Sequence, residues 1–136
     1  MITKLQYFGQ KSYPASHGLN ADKLLMAVNS LLYMSSSRGV YDYWICPNTG
    51  SQISGSKGGQ GDGGYRTPES TTGAPTSSHK EARGVDVYDP KNDLDDWLTD
   101  EMLEMFSLYR EAPPSTPGWC HLTDRAPKSG RRTFLP

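Results

Sequence analysis

The stretch that decides the fold is Ser77-Ser-His-Lys-Glu-Ala-Arg-Gly-Val-Asp-Val-Tyr88, in the second half of the chain. Towards its end, apolar and polar side chains alternate, which is the pattern of a strand with one buried face. The alternation places Val85 and Val87 on the core side, and Asp86 and Tyr88 on the other face. These residues are therefore predicted to form a short strand that presents an acidic side chain away from the core.

On either side of this strand, hydrophobic periodicity predicts further helices and strands. The predicted elements are an extended arm with turns over residues 1–19, a helix from Asn20 to about Gly39, a strand over Val40–Cys46, a second helix over Asp93–Tyr109 and a last strand over Gly118–Leu122. The second helix is expected to bury Leu94, Trp97, Leu98, Met102, Met105 and Phe106. The strands are too few and too close for a doubly wound parallel sheet, so we expect one small α+β domain over residues 1–136.

A glycine-rich segment separates the first predicted strand from the deciding stretch. Residues 48–64 contain seven glycines in 17 residues, which is typical of a flexible surface loop. Within it, Gly50–Lys57 comes near a phosphate-binding loop pattern, but its Ser and Lys are in the wrong order and no helix is predicted to follow. We therefore expect a mobile lid or linker rather than a nucleotide site.

The composition of the chain argues against several classes of partner and location. The 14 basic and 15 acidic residues nearly balance, so no global field favours nucleic acid. No apolar run approaches the roughly 18 residues of a membrane span, and the start of the chain lacks the pattern of a secretory signal. Cys46 and Cys120 are far apart in sequence, and we expect two buried free thiols rather than a disulfide.

The chain has three histidines, and two of them suggest a metal site. His79 and Asp86 lie seven residues apart, and His121 follows on the last predicted strand, on the same face as Trp119. Two imidazoles, one carboxylate and an open fourth position are typical of a hydrolytic zinc site, because the open position receives the water to be activated. Such spacing also occurs by chance, so the residues alone leave surface or core histidines as the alternative.

Three segments in the right order resemble one enzyme family. The segment from Ser77 to Asp86 resembles the S-x-H-x-x-G-x-A-x-D signature of the zinc D-Ala-D-Ala carboxypeptidases and L-alanyl-D-glutamate endopeptidases. Upstream, Gly64-Tyr-Arg-Thr-Pro68 resembles the S-G-Y-R-[ST]-P segment of that family. Near the end of the chain, Trp119-Cys-His-Leu122 and Ser129-Gly-Arg-Arg-Thr-Phe134 are similar to the ending of its phage-encoded branch.

The resemblance implies the hedgehog/DD-peptidase fold, in which a cleft lies over an antiparallel sheet. It implies Zn²⁺ bound by His79, Asp86 and His121. It also implies that Arg66 acts on the substrate, where a guanidinium can bind two oxygens at once, and that Ser77 forms hydrogen bonds at the cleft. For Trp119, two roles stay open: it lines the cleft or packs beneath it.

The sequence departs from the family pattern in two places. Ala82 stands where the signature has Gly, and Gly84 stands where it has Ala, so both positions stay small. The family's final E-x-x-H motif supplies a glutamate as general base, but here Gly118 occupies that position.

A carboxylate near the activated water is still needed for hydrolysis. Glu111 is the first candidate, provided that the loop Ala112–Pro117 folds it back beside His121. Glu69 and Asp124 are weaker candidates, and an exposed Glu111 near a helix end is the alternative.

The expected function is hydrolysis of a D-amino-acid-containing peptide bond in the stem peptide of peptidoglycan. We expect a monomer that acts from the host cytoplasm onto the wall or that travels in the virion. The alternatives are a virion structural or binding protein that keeps the zinc fold without turnover, and zinc-stabilised recognition without peptide chemistry. The basic cluster of Arg125, Lys128, Arg131 and Arg132 is expected to be a solvated tail, with contact to an anionic wall polymer as the alternative.

Overall fold

The computed structural model describes residues 1–57 and 62–136. The middle of the predicted glycine-rich loop, residues 58–61, lies outside the described residues. The helices are α1 (Lys4–Phe8), α2 (Ala15–Ser37), α3 (Asp93–Trp97) and α4 (Asp100–Met105), with 3-10 turns at Ser78–Glu81 and Pro113–Ser115. The strands are β1 (Gly84–Tyr88), β2 (Tyr109–Glu111), β3 (Trp119–Thr123) and β4 (Thr133–Phe134).

The long helix α2 carries the core-facing stripe that the sequence predicts. Leu24, Val28 and Leu31 are fully buried on it. The helix begins at Ala15, after Pro14, so the predicted start at Asn20 is wrong. Proline suits a helix start because N–H groups in the first turn have no intrahelical acceptor, so the missing N–H group of proline costs no hydrogen bond there. Within residues 1–57 and 62–136, no helix is both long enough and apolar enough to cross a membrane.

The predicted extended arm contains a short helix. In α1, the Thr3 hydroxyl accepts from the Gln6 N–H group, and the Gln6 side chain accepts from the Thr3 N–H group, which forms a capping box. Tyr7 and Phe8 at the end of α1 are buried. The prediction of an arm without a helix is therefore wrong, although Thr3 and Gln6 had the spacing of this cap.

The strands form one sheet in the order β1-β3-β2-β4. The pairs β1–β3 and β3–β2 are antiparallel, whereas β2 and β4 are parallel. The α+β class is confirmed, but the sheet is mixed rather than antiparallel throughout. The parallel pair arises because residues 124–132 carry the chain past β2 to the far edge of the sheet.

The free edge of β1 pairs with the start of the glycine-rich segment. Ser54 donates its N–H group to the carbonyl oxygen of Asp86 at 2.8 Å, Tyr88 donates to that of Gln52 at 2.7 Å, and Ile53 bridges Val87. Ser51, Gln52 and Ile53 are buried, so this end of the segment is not a flexible surface loop.

The predicted strand Val40–Cys46 is wrong, because these residues are irregular in the structure. Tyr43 has a left-handed backbone with φ of 51°, which interrupts an extended run. The aromatic and β-branched residues of this segment serve the core instead: Tyr41 and Cys46 are buried, and Trp44 packs against the core.

The predicted helix Asp93–Tyr109 is also wrong in its extent. It is divided into α3, α4 and β2. Leu98 is extended, and the Thr99 hydroxyl accepts from the Met102 N–H group at 3.2 Å, which begins a new helix. Leu94 and Leu98 are buried as predicted, and Trp97, Met102 and Phe106 are partly buried against the core. Met105 is 69% exposed, and Leu103, which the predicted stripe did not include, is buried instead.

Candidate metal centre

Two paired strands and a 3-10 turn bring the three predicted ligands together. Asp86 on β1 lies directly opposite His121 on β3, and both side chains occupy the face away from the core. The turn Ser78–Glu81 adds His79 from the segment just before β1. One ligand atom from each of these three residues lies within 4.8 Å of the other two. This group could therefore hold a metal ion.

The hydrogen bond made by His79 determines which of its ring nitrogens is free. Its Nδ1 atom lies 2.8 Å from the carbonyl oxygen of Gly64, and the ring is buried. A carbonyl oxygen only accepts, so Nδ1 must carry the proton and donate. Burial lowers the pKa of His79, which favours the neutral ring. In this neutral form Nε2 presents a lone pair.

That lone pair faces a negatively charged oxygen. His79 Nε2 lies 3.3 Å from Asp86 Oδ1. Burial alone would raise the pKa of Asp86, but a positive charge shared with the His79 and His121 imidazoles and the hydrogen bond from His121 hold this pKa well below its usual range. Two acceptors at this separation need a cation or a second proton between them. Because burial opposes a second proton on His79, the donor set fits a metal cation.

His121 completes the group from the opposite strand. Its Nδ1 atom lies 2.8 Å from Asp86 Oδ1, and its ring lies 5.1 Å from the His79 ring. The edge of its ring also contacts Phe134 on β4, with 6.2 Å between ring centroids. The arrangement of two imidazoles around one carboxylate therefore depends on the β1–β3 register.

The backbone explains the small residue at one of the two interchanged positions of the deciding stretch, Gly84, and puts Ala82 in a strained conformation. A Cβ atom at Gly84 would overlap the Ser78 hydroxyl and lie 3.2 Å from His121 Cε1. Ala82 is buried and left-handed, with φ of 58°, a conformation that glycine adopts more readily. The absence of a side chain at Gly84 lets β1 pass close to the turn that carries His79.

Arg66 lies beside the metal group. Its Nη2 atom is 3.8 Å from Asp86 Oδ2, and its side chain is only 14% exposed. The Arg66 Nε atom donates to the carbonyl oxygen of Asp62 at 2.7 Å, and its backbone N–H group donates to that of His79 at 3.1 Å. The guanidinium is thus held in place rather than forming a surface salt bridge.

The other predicted substrate contacts line the same cleft. This cleft has a volume of about 710 Å³ and contains Arg66, His79, Asp86 and His121 among its lining residues. Ser77 and Trp119 also line it. The Ser77 hydroxyl accepts from the His79 N–H group at 3.3 Å, so Ser77 caps the turn that carries a ligand.

Glu111 reaches the cleft by a different route from the one expected. It ends β2, and continuing the β2–β3 register by one residue places it opposite His121. Opposite residues of antiparallel strands share a face, and Glu111 lines the cleft. Burial raises the pKa of Glu111, against the effect of His121. A paired strand, not a folded-back loop, therefore positions this carboxylate.

The remaining acidic candidates lie elsewhere. Among the described residues, the cleft lining contains neither Glu69 nor Asp124. Asp124 instead accepts from Arg83 at 2.9 Å. Gly118, at the position of the family glutamate, has φ of 88°, which a glutamate seldom adopts. The backbone at position 118 therefore disfavours a glutamate there, whereas β2 holds Glu111 in an ordinary strand conformation.

Sequence reasoning missed several cleft residues. Phe134 lines the cleft from β4, a strand too short to give a periodic signal.

The prediction of a solvated basic tail is wrong for two of its members. Arg125 pairs with Glu81 at 3.1 Å, and the Arg132 guanidinium lies 4.3 Å from the centre of the Tyr109 ring.

Cys46 and Cys120 are free and buried, as expected.

No protein-family model, curated protein or solved structure matches this chain.

Proposed function

We propose that this chain is a zinc metallopeptidase of the hedgehog/DD-peptidase fold that hydrolyses D-amino-acid-containing peptide bonds in peptidoglycan. The observation that carries the proposal is the convergence of His79, Asp86 and His121 in a cleft that also contains Arg66 and Glu111. Two nitrogen donors and one carboxylate suit zinc with an open position. Zinc at this site supplies Lewis acidity, which activates water and polarises a carbonyl group.

Glu111 is the general base and acid in this proposal. Its carboxylate shares a face with His121, so it is placed to take a proton from the attacking water and to deliver that proton to the leaving amine. The raised pKa that burial gives Glu111 suits a group that both accepts and releases a proton.

Arg66, Ser77 and Trp119 bind the substrate. The fixed guanidinium of Arg66 donates to a carbonyl or carboxylate oxygen of the peptide, and its contact with Asp86 orients that ligand. Trp119 lines the cleft and excludes water from one side of the bound peptide. The choice of peptidoglycan stem peptide rests on the family resemblance of the three motifs. The protein acts on it as a monomer, after release in the host or from the phage particle.

The first test combines metal content with product analysis. We expect wild-type protein to hold about one zinc per chain. His79→Ala should lose the metal, as measured by plasma mass spectrometry. Glu111→Gln should keep the zinc but release wall fragments about 10²–10⁴-fold more slowly. Mass spectrometry of fragments from purified peptidoglycan identifies the bond.

Glu69→Gln is the matched control, since it removes the same charge outside the cleft lining and should leave the rate unchanged. Full zinc occupancy in His79→Ala would overturn the metal site. Undiminished fragment release by Glu111→Gln would remove Glu111 from the mechanism.

A second candidate function is a virion structural or binding protein that retains the zinc fold. Gly118 in place of the family's glutamate favours it, because the usual base is missing. This candidate predicts zinc and wall-peptide binding by the wild-type chain with no fragments released. The product analysis therefore distinguishes the two.

A further inference from the structure

Two cations that the proposed mechanism does not use line the cleft: Arg125 and Lys128. With Arg66, they give the cleft three basic side chains, and its lining also contains the acidic pair Asp86 and Glu111.

Arg125 is held in position by three contacts. Its Nη1 atom lies 3.1 Å from Glu81 Oε2, and its Nη2 atom donates to the carbonyl oxygen of Thr76 at 2.8 Å. Its backbone N–H group donates to the Thr123 hydroxyl at 3.0 Å. The guanidinium is therefore anchored in the lining of the cleft, and a guanidinium has five N–H donors, more than these contacts use.

Lys128 adds a second positive charge. It is exposed, and it makes no ion pair with any residue in the ranges 1–57 and 62–136. A fixed guanidinium and an ammonium group without an ion-pair partner among the described residues, both lining one cleft, are suited to an anion with planar oxygens. A carboxylate fits a guanidinium through two parallel hydrogen bonds.

The chain limits how far Arg125 lies from the candidate metal group. Arg125 follows His121 by four residues, so their Cα atoms are at most about 14 Å apart. A bound peptide whose carbonyl group lies at His121 therefore needs at most about four residues to reach Arg125.

We propose that Arg125 and Lys128 form a second subsite, which binds a free carboxylate of the wall peptide about four residues or fewer from the bond cleaved. The inference rests on the proposed function and adds the substrate feature that the cleft recognises. Three carboxylates of a stem pentapeptide could supply the anion: the C-terminal one, that of the D-glutamate residue and that of a diaminopimelate side chain.

The test measures binding of L-Ala-γ-D-Glu-meso-diaminopimelate-D-Ala-D-Ala and of three analogues, each with one carboxylate amidated. Calorimetry uses the zinc-loaded Glu111→Gln protein, and mass spectrometry checks that the peptide stays intact. We expect one analogue to bind about tenfold more weakly, which identifies the source of the anion. Arg125→Gln and Lys128→Gln should weaken binding of the parent peptide but not of that analogue.

Two control variants separate recognition from folding and from general charge. Arg131→Gln makes the same change of charge outside the cleft lining, and Glu81→Gln removes the ion-pair partner of Arg125 but keeps the cation. Neither should alter the ratio between the parent peptide and the weak analogue. Equal loss of binding in Arg131→Gln, or loss in Glu81→Gln that matches Arg125→Gln, would overturn the subsite.

The two proposals fail in different ways. If all four peptides bind equally while wild-type protein cleaves the parent, the subsite is wrong and the peptidase function stands. If wild-type protein cleaves none of the peptides but the amidated analogue still binds more weakly, the carboxylate subsite stands and the peptidase function is wrong.

Discussion

At the scale of single residues, the metal group depends on the absence of one side chain. Gly84 lies where β1 passes the turn that carries His79, and a Cβ atom there would overlap the Ser78 hydroxyl. The same Cβ atom would come within 3.2 Å of a ring carbon of His121. The groups around a metal ligand fix its orientation. A methyl group at this point would therefore turn the His121 ring and weaken metal binding without contacting the metal itself.

Gly84→Ala should therefore weaken zinc binding about tenfold and lower the free energy of unfolding by about 1–3 kcal/mol. Zinc affinity is measured by competition with a chelator, and stability by urea denaturation. Adding Ser78→Ala should restore part of both losses, because it removes the atom closest to the new methyl group.

Ala82→Gly is the control for a small-residue change two positions away. It relieves a left-handed alanine but loses a buried methyl group, so stability should change by less than about 1 kcal/mol. If Gly84→Ala binds zinc as tightly as wild-type protein, the close contact at this position is not what orients His121.

At the scale of elements, α1 joins the two segments that carry the site. The Tyr7 hydroxyl donates to the carbonyl oxygen of Gly84 on β1 at 2.8 Å. The Tyr7 carbonyl oxygen accepts from the Tyr65 N–H group at 3.0 Å. Tyr65 lies between Gly64, which holds the His79 ring, and Arg66. A helix of five residues thus links the strand of Asp86 to the segment of Arg66.

Tyr7→Phe should lower the free energy of unfolding by about 1–3 kcal/mol, because it leaves a buried carbonyl oxygen without this donor. Tyr41→Phe is the matched control: Tyr41 is equally buried, but its hydroxyl has no hydrogen-bond partner among the described residues. Its removal should change stability by less than about 0.5 kcal/mol. Urea denaturation of both variants tests the pair, and equal losses would contradict the role given to Tyr7.

At the scale of the whole molecule, the buried tyrosines give stability a pH dependence. Burial raises the pKa of Tyr7 and of Tyr41 in the folded protein well above the ordinary value. Below the unfolded value of about 10, both states keep the phenol proton and these two tyrosines do not change stability. Above it, only the unfolded chain releases the proton, so the unfolded state is favoured as pH rises.

We therefore expect the free energy of unfolding to fall above pH about 10, by up to about 1.4 kcal/mol per pH unit for each buried tyrosine. Urea midpoints measured between pH 9 and 11.5 give the slope. The double variant Tyr7→Phe, Tyr41→Phe should flatten it. An unchanged slope in the double variant would mean that other groups cause the alkaline loss.

Metal binding should also stabilise the whole domain. If zinc binds only the folded chain, zinc at a thousandfold excess over its Kd adds about 4 kcal/mol. Thermal unfolding with zinc and with a chelator should show a corresponding rise in Tm, and His79→Ala should abolish the difference. Equal rises in wild-type protein and His79→Ala would place the zinc elsewhere.

The sequence by itself determined the parts that depend on local patterns. Alternation predicted β1 and the face of β3 that carries His121, and both are confirmed. Helical spacing of apolar residues predicted the buried stripe of α2, which is also confirmed. These patterns succeed because the side-chain periods of strands and helices are properties of the backbone itself. Together with the motif order, they placed His79, Asp86 and His121 in one candidate group, which the structure brings together.

Only the tertiary structure decided which segments pair and which turns end them. Residues Gln52–Ser54, rather than Val40–Cys46, occupy the edge of β1, and the predicted second helix yields β2, which carries Glu111 to the cleft. A backbone group can satisfy its hydrogen bond with any strand edge that the fold brings near, so local periodicity does not specify the partner. The presence of Glu111, Arg125 and Lys128 in the cleft lining depends on those long-range choices.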